Sequence, residues 1–279
     1  MEGPAGIKVS VIVPCFNSAA YVERAVESVL LQSLRDVEIV LVDDGSEDDT
    51  RDVLARIAAR HTGRAVRIIA RSRGGTAAAR NTGIANAQGR YVLPLDADDA
   101  IAPTMLEACA RELDTAESID IVYTDREDFG EVCGVAQAGQ FCVERLAYFN
   151  QIGYCSLFRR SLWEAIGGYR VNVSGFDDWD FWLAAALLGA RARHIAAPLF
   201  RHHRRADSQL GRLLPHFERL HARIVLNNTA AYSAADVRAA RRFLDDGGDP
   251  PASLSFARFL FMARYFESAR MPVGATRCA

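Results

Sequence analysis

Residues 91–103 read YVLPLDADDAIAP. A short apolar run drives straight into three carboxylates, Asp96, Asp98 and Asp99, and the apolar residues then resume. Carboxylates this close oppose one another's ionisation, so a positive partner is expected between them. Asp96 and Asp98 form a D-x-D. On an extended strand end their side chains would point to the same side, at period two. Hard oxygen donors of this kind suit Mg2+ or Mn2+ carried by a diphosphate. The competing reading is local, with Asp98 or Asp99 capping a helix that begins near Pro103.

Upstream of this stretch the pattern alternates. IKVSVIVPCF (7–16), DVEIVLVDD (36–44), AVRIIAR (65–71) and RYVLPLD (90–96) are apolar, β-branched runs that predict buried strands. Between them lie helical patterns. In 17–33, Val22, Ala25, Val26, Val29 and Leu30 make one apolar stripe, with Asn17 or Ser18 expected as cap. A second helix is expected over 46–61 with Ser46 as cap, and a third over 75–89. This alternation implies a mostly parallel sheet with helices on both faces. Downstream, the pattern predicts a helix over 104–117, a strand at 119–125, and a hairpin and loop over 126–150. A strand, short helix and glycine turn follow in 153–169, then a helix over 177–189 and a strand ending 192–203. From about residue 212 the chain reads as helical, broken at DDGGDPP (245–251).

The 279 residues carry a formal net charge of -2, with half of them apolar and 24% charged. That is the composition of an ordinary globular chain, long enough for one large domain and an appendix. Without a basic excess, a nucleic-acid partner is not expected. The N-terminus has no basic segment followed by an apolar one, so no signal peptide is expected. No apolar run approaches the ~20 residues that span a bilayer. The six cysteines are scattered without a CxxC pair, which argues against zinc or a disulfide scaffold. They are expected to be reduced thiols of a cytoplasmic protein.

In an open parallel sheet, ligands bind beyond the carboxyl ends of the strands. The segments Pro14–Asn17, Asp43–Ser46, Arg71–Gly75 and Asp96–Asp99 all fall there. Taken singly, each has a bland reading. VDDGS is a common turn. Gly74 and Gly75, at a helix start, can cradle a phosphate, but the stretch is neither GxGxxG nor a P-loop. Arg80 is either a solvated helix charge or a group that reaches a diphosphate.

In combination, VSVIVPCFN, VDDGSEDDT, GGTAAARNTGI, YVLPLDADD, GGY and GFDDWDFWLAAALLG, in this order and spacing, resemble a family 2 glycosyltransferase of the GT-A fold. The resemblance covers roughly residues 7–210. It implies a Rossmann-like α/β catalytic domain over 1–211 and a helical C-terminal extension over 212–279. The implied enzyme is inverting, uses a nucleotide-sugar donor (a UDP-sugar foremost) and needs Mn2+ or Mg2+. The implied acceptor is a glycan or a lipid-linked sugar, in bacterial surface polysaccharide or glycolipid synthesis. Carried onto this chain, Pro14 and Asn17 would line the nucleotide pocket, Asp44 would contact the base, Arg71 would flank it and Arg80 would brace the site. Asp96 would sit toward ribose and metal, and Asp98 would be the main metal ligand, joined by His203 or its neighbour His202. FDDWD stands where the family has Glu-Asp, so Asp178 becomes the catalytic base, with Asp177 in place of the usual Glu.

Such a base would take the acceptor proton, while the metal and Arg80 offset charge on the departing diphosphate. Trp179 can stack on an acceptor sugar, whereas Trp182 is expected in the core. The basic run Arg201–Arg205 is an alternative phosphate holder. The aromatic and basic stretch 253–270 is expected to pack on the catalytic domain or on a second subunit, with contact to the inner membrane face as the alternative. Two further readings compete with an active transferase. One is a nucleotide-sugar-binding scaffold without activity. The other is a sugar nucleotidyltransferase, which would need a glycine-rich basic loop near the N-terminus that this chain lacks.

Overall fold

The computed structural model describes residues 6–63, 65–150, 152–205 and 213–247, together with 250, 254, 257 and 258. The first half alternates as its pattern requires: β1 (Val9–Cys15), α1 (Val22–Leu30), β2 (Val37–Asp43), α2 (Thr50–Arg60), β3 (Ala65–Ala70), α3 (Thr76–Ala85) and β4 (Tyr91–Pro94). These four strands lie in the order β3-β2-β1-β4, all parallel, so their carboxyl ends share one edge.

The second half contributes β5 (Ala100–Ile101), α4 (Met105–Thr115), β6 (Ile121–Gly130), β7 (Gly134–Ala136), α5 (Val143–Leu146), β8 (Leu157–Arg159), α6 (Arg160–Ile166), α7 (Asp177–Leu187) and β9 (Ala192–Arg204). Here the sheet becomes mixed. The three-residue β8 inserts antiparallel between β4 and β6, and β6 then runs parallel to the long β9. β5 pairs antiparallel with the end of β9, which swings residues 201–204 over the Asp96–Asp99 turn.

Two apolar layers cover the sheet. One joins α1, α2 and α4 to β1 through Val22, Val26, Leu54, Leu106 and Leu113. The other centres on α7, which is apolar nearly all round and buries Trp179, Phe181 and Trp182. A helix with that pattern belongs in the interior. Two helices follow, α8 (Phe217–Asn227) and α9 (Ala234–Asp246). Phe217, Leu220 and Ile224 of α8 join the same core as Trp179. Ser233 caps α9 by accepting the Asp236 N–H at 3.1 Å.

Several local expectations are corrected. Neither Asn17 nor Ser18 caps α1 with its side chain; the Ser18 carbonyl accepts the Tyr21 and Val22 N–H groups instead. Ser46 lies four residues before α2, and the Asp48 carboxylate accepts the Thr50 N–H. Cys15, Cys109, Cys142 and Cys155 are free thiols. Most of the stretch 253–270 lies outside the described residues. No helix among the described residues is long and apolar enough to cross a membrane.

Candidate active site

At the shared strand edge, β4 stops at Pro94 and the chain turns at once. The Asp99 N–H bonds the Asp96 carbonyl at 3.0 Å, so Asp96 and Asp98 sit in a turn and not on an extended end. The period-two argument is therefore corrected. Asp99 does not cap α4 either. It is buried, and its carboxylate accepts the Tyr154 hydroxyl and the His203 backbone N–H, the latter at 2.6 Å. Burial, reinforced by Asp98 and Asp96, pushes the Asp99 carboxyl up to about 7. The Tyr154 hydroxyl also accepts the Asp96 N–H at 3.1 Å, so one phenol pins both ends of the turn.

Arg80 answers part of the charge problem. It rises from α3 and is buried, with one guanidinium nitrogen donating to Asp96 at 2.8 Å and another to Asp177 at 2.7 Å. The rings of Tyr154 and Tyr169 lie 4.9 and 5.7 Å from its guanidinium carbon, within cation–π range. Arg80 thus links Asp96 to Asp177. Two of its guanidinium nitrogens bond carboxylates, while its buried Nε has no partner among the described residues. Asp177 is fixed further by the Gly175 N–H at 2.9 Å.

Asp178, the next residue on α7, points elsewhere. It is half-buried, and its Oδ2 accepts the Asn150 amide at 2.9 Å. Burial, with the neighbouring charge of Asp177, pushes its carboxyl up to about 7. A carboxylate tuned to this range is suited to proton transfer at neutral pH. The third acid of FDDWD is structural: Asp180 is buried and accepts Arg170, Asn227 and Asn228, tying α8 to α7. Trp179 is also buried, and its indole N–H donates to the Leu146 carbonyl at 2.6 Å. It packs in the core beside Trp182 and is not placed to stack on an acceptor.

Across the edge, the Asp44 carboxylate accepts the Gly74 N–H at 3.0 Å, the Gly75 N–H at 2.7 Å and the Arg71 guanidinium. The amide cradle at the start of α3 is therefore filled by a carboxylate of the chain itself, which corrects the phosphate-cradle reading. Gly75, at φ +86°, adopts the backbone that aims its N–H inward. Asn17, at φ +48°, accepts the Glu47 N–H through its side-chain oxygen at 2.9 Å. Pro14 sits opposite Val42 at the end of β1. Pro14, Asn17, Asp44 and Arg71 thus come together as one wall.

The acidic pair fits a divalent cation chemically. Asp96 and Asp98 each keep one carboxylate oxygen without a partner among the described residues, and their side chains are 33% and 29% exposed. The Asp98 Oδ2 lies 3.5 Å from Arg205, and its carbonyl accepts Arg24 at 2.7 Å. The Nδ1 of His203 lies 3.1 Å from that same Arg24 guanidinium, and its ring stacks on Phe129. His202 pairs with Asp128 at 3.0 Å. Among the described residues, no three His, Cys, Asp or Glu side chains gather in a metal-binding group.

Asn150, Tyr154, Asp99 and Arg24 were not singled out as site residues from sequence. Asp99 was visible beside the D-x-D. The others lie in stretches whose pattern carries no chemistry until the chain is folded.

The profile of glycosyl transferase family 2 matches residues 10–167, which hold β1 to β8 and the Asp96–Asp99 turn. The chain belongs to glycosyl transferase family 2. Among its relatives is the chondroitin synthase of Pasteurella multocida, 28% identical over 191 residues, or 67% of this chain and 20% of that protein. The PGL/p-HBAD biosynthesis glycosyltransferase of Mycobacterium bovis is 34% identical over 175 residues, 62% of this chain and 67% of that one. The chain spans about a fifth of the length of the synthases it matches. Among solved structures, S. aureus TarS in complex with UDP-GlcNAc superposes with a TM-score of 0.67 at 21% identity, over 95% of this chain and 76% of that one. The mannosyltransferase PcManGT of Pyrobaculum calidifontis, in complex with GDP-Man and Mn2+, gives 0.63 at 21%, over 94% and 82%. The fold is GT-A.

Proposed function

We propose that this glycosyltransferase moves a sugar from a nucleoside diphosphate to an acceptor hydroxyl in one displacement that inverts the anomeric carbon, with Asp178 as general base. One observation carries the proposal: Asp178 is half-buried, pushed up to about 7, and stands beside the brace that links Asp177 to the Asp96–Asp99 turn. In the step, the Asp178 carboxylate takes the acceptor proton as the hydroxyl oxygen bonds to the anomeric carbon. The bond from that carbon to the diphosphate oxygen breaks, and the nucleoside diphosphate leaves with the electron pair. A separate nucleophilic carboxylate is not needed, unlike in a retaining glycosidase.

Pro14, Asn17, Asp44 and Arg71 form the nucleotide side. Asp44 holds the loop 71–75 in place and presents its remaining lone pairs to the base. The free oxygens of Asp98 and Asp96 would hold Mg2+ or Mn2+, which supplies charge compensation on the leaving diphosphate. Arg80 acts indirectly, by fixing Asp96 and Asp177. His203 would join the metal only after leaving Arg24. A UDP-sugar is the first donor to test, since TarS is described with UDP-GlcNAc. A glycan or lipid-linked acceptor in bacterial surface polysaccharide or glycolipid synthesis agrees with relatives such as chondroitin synthase. On this reading, residues 1–211 are catalytic and the helices beyond support them from the inner side of the cell membrane.

The test is a panel of UDP-, GDP-, dTDP- and CDP-sugars with Mn2+, reading nucleoside diphosphate release and the anomeric configuration of the product by proton NMR. Release from one donor, an inverted product and loss of release in Asp178→Asn are expected. A product of retained configuration, or full activity in Asp178→Asn, would overturn the assignment.

A further inference from the structure

The loop that precedes β8 carries a polar contact that no sequence motif announces. Asn150 Nδ2 donates to Asp178 Oδ2 at 2.9 Å. The Trp179 backbone N–H also favours the ionised form of this carboxylate, and Asn150 is the one side chain among the described residues that hydrogen-bonds it. The Asn150 amide oxygen is buried and finds no partner among the described residues. A buried acceptor left unpaired normally costs about 1–3 kcal/mol. Such an arrangement persists where the rest of the group does something needed.

The loop is also held from an unexpected direction. The Ala147 carbonyl accepts His221 Nε2 at 3.0 Å and the Tyr232 hydroxyl at 2.6 Å. Next to it, the Leu146 carbonyl accepts the Trp179 indole at 2.6 Å. His221 is fully buried and stacks on Trp179 with centroids 5.0 Å apart; burial pushes its imidazole down to about 4, so it stays neutral at working pH. Trp179 follows Asp178 on α7. His221 belongs to α8 and Tyr232 to the turn before α9, both beyond the residues that match the family. Two carbonyls are thus clamped three to four residues before Asn150, once by the base's own helix and twice by the C-terminal segment.

We infer that Asn150 is a positioning residue for the base: it holds Asp178 through Oδ2, and the C-terminal helices deliver it there through the clamp on Ala147. The inference rests on the proposed role of Asp178. The other charged and titratable groups that act on Asp178 are Asp177 on its own helix, Arg80 from α3 and Tyr169 from the turn before α7. None of them touches its Oδ2. The amide donates more strongly to the ionised carboxylate than to the neutral acid, so its loss disfavours ionisation.

The test uses the full chain with carbon-13 aspartate, following the Asp178 carboxyl signal against pH and assigning it with Asp178→Asn. In Asn150→Ala the midpoint is expected to rise by about one pH unit, since a charge-assisted hydrogen bond of this kind is worth roughly that much. Asn150→Gln, which keeps an amide donor, is expected to fall between the two. Urea stability of Asn150→Ala should stay level or rise, because the orphaned amide oxygen goes with the side chain. Nucleoside diphosphate release from the donor found above should fall about tenfold on the acid limb and keep its alkaline plateau, as a one-unit shift requires. An unmoved carboxyl midpoint in Asn150→Ala, or a loss of stability with no midpoint change, would overturn the inference. The carboxyl titration reads the contact without needing turnover. Activity surviving in Asp178→Asn would therefore sink the role of the base separately from the contact.

Discussion

Arg80 offers the sharpest energetic test of how the site is built. Its side chain is 4% exposed and joins Asp177, 3% exposed, at 2.7 Å and Asp96, 33% exposed, at 2.8 Å. The Asp96 contact is half open to solvent and is worth at most ~1 kcal/mol. The Asp177 contact is different, because removing one member of a buried pair strands the other charge and typically costs about 3–5 kcal/mol. Arg80→Met should therefore cost about 3–5 kcal/mol, most of it from stranding Asp177. Adding Asp177→Asn to that variant removes the stranded charge and should restore about 2 kcal/mol or more. Arg80→Lys has no planar fork to span both carboxylates and should lie between wild type and Arg80→Met. Urea unfolding at pH 7.5, with midpoints compared at constant slope, reads all four proteins. If Arg80→Met lost under ~1 kcal/mol, or if the double variant were no more stable than the single one, the brace would not be an energetic element of the site.

Other expectations follow from the same geometry. Asp178→Asn should lower turnover by about 10²–10⁴-fold, the usual contribution of a positioned base. In the wild type, kcat/KM should rise with pH through a midpoint of about 7, since only the ionised carboxylate takes a proton. The folded-state pKa of Asp178 lies above its ordinary 3.8, so protonation of this group favours the fold. That contribution is complete below about pH 4 and is lost as pH rises through about 7. Thermal unfolding should accordingly show Asp178→Asn gaining on wild type above pH 7 and losing the gain at lower pH. Asp44→Ala frees Gly74, Gly75 and Arg71 together, and should weaken nucleotide binding by about tenfold or more with a small change in unfolding midpoint.

The parallel half of the sheet was legible because β-branched runs such as Val9–Val13 and Ile39–Val42 can be satisfied only when covered on both faces. The polar residues at their ends then had to share an edge, which is why Asp44, Asp96 and Asp98 were found. Their local geometry was not legible. Whether Gly74 and Gly75 offer their N–H groups to a phosphate or to Asp44 depends on a turn some thirty residues away. From sequence, Arg80 reads as either a solvated helix charge or a group reaching a diphosphate, and nothing there names its partners Asp96 and Asp177, which lie 16 and 97 residues off. Asn150 ends the stretch read as hairpin and loop, where no period marks a buried face, and Tyr154 falls in one read as a strand, just before β8 begins at Leu157. Trp179 illustrates the opposite error: an aromatic beside a catalytic acid invites a stacking role, yet α7 is buried all round and the ring fills the core.

The central claim, that the Asp96–Asp99 turn and the Asp44 wall together bind a metal-bridged nucleoside diphosphate, is tested most directly by calorimetric titration of the protein with UDP, GDP, dTDP and CDP. Each is measured with Mn2+ and with EDTA, in the wild type and in Asp98→Ala. The account predicts saturable binding of one nucleotide, with UDP the first candidate, that requires the metal and is lost in Asp98→Ala. Binding of none of the four to well-folded protein, or binding that neither EDTA nor Asp98→Ala changes, would contradict it.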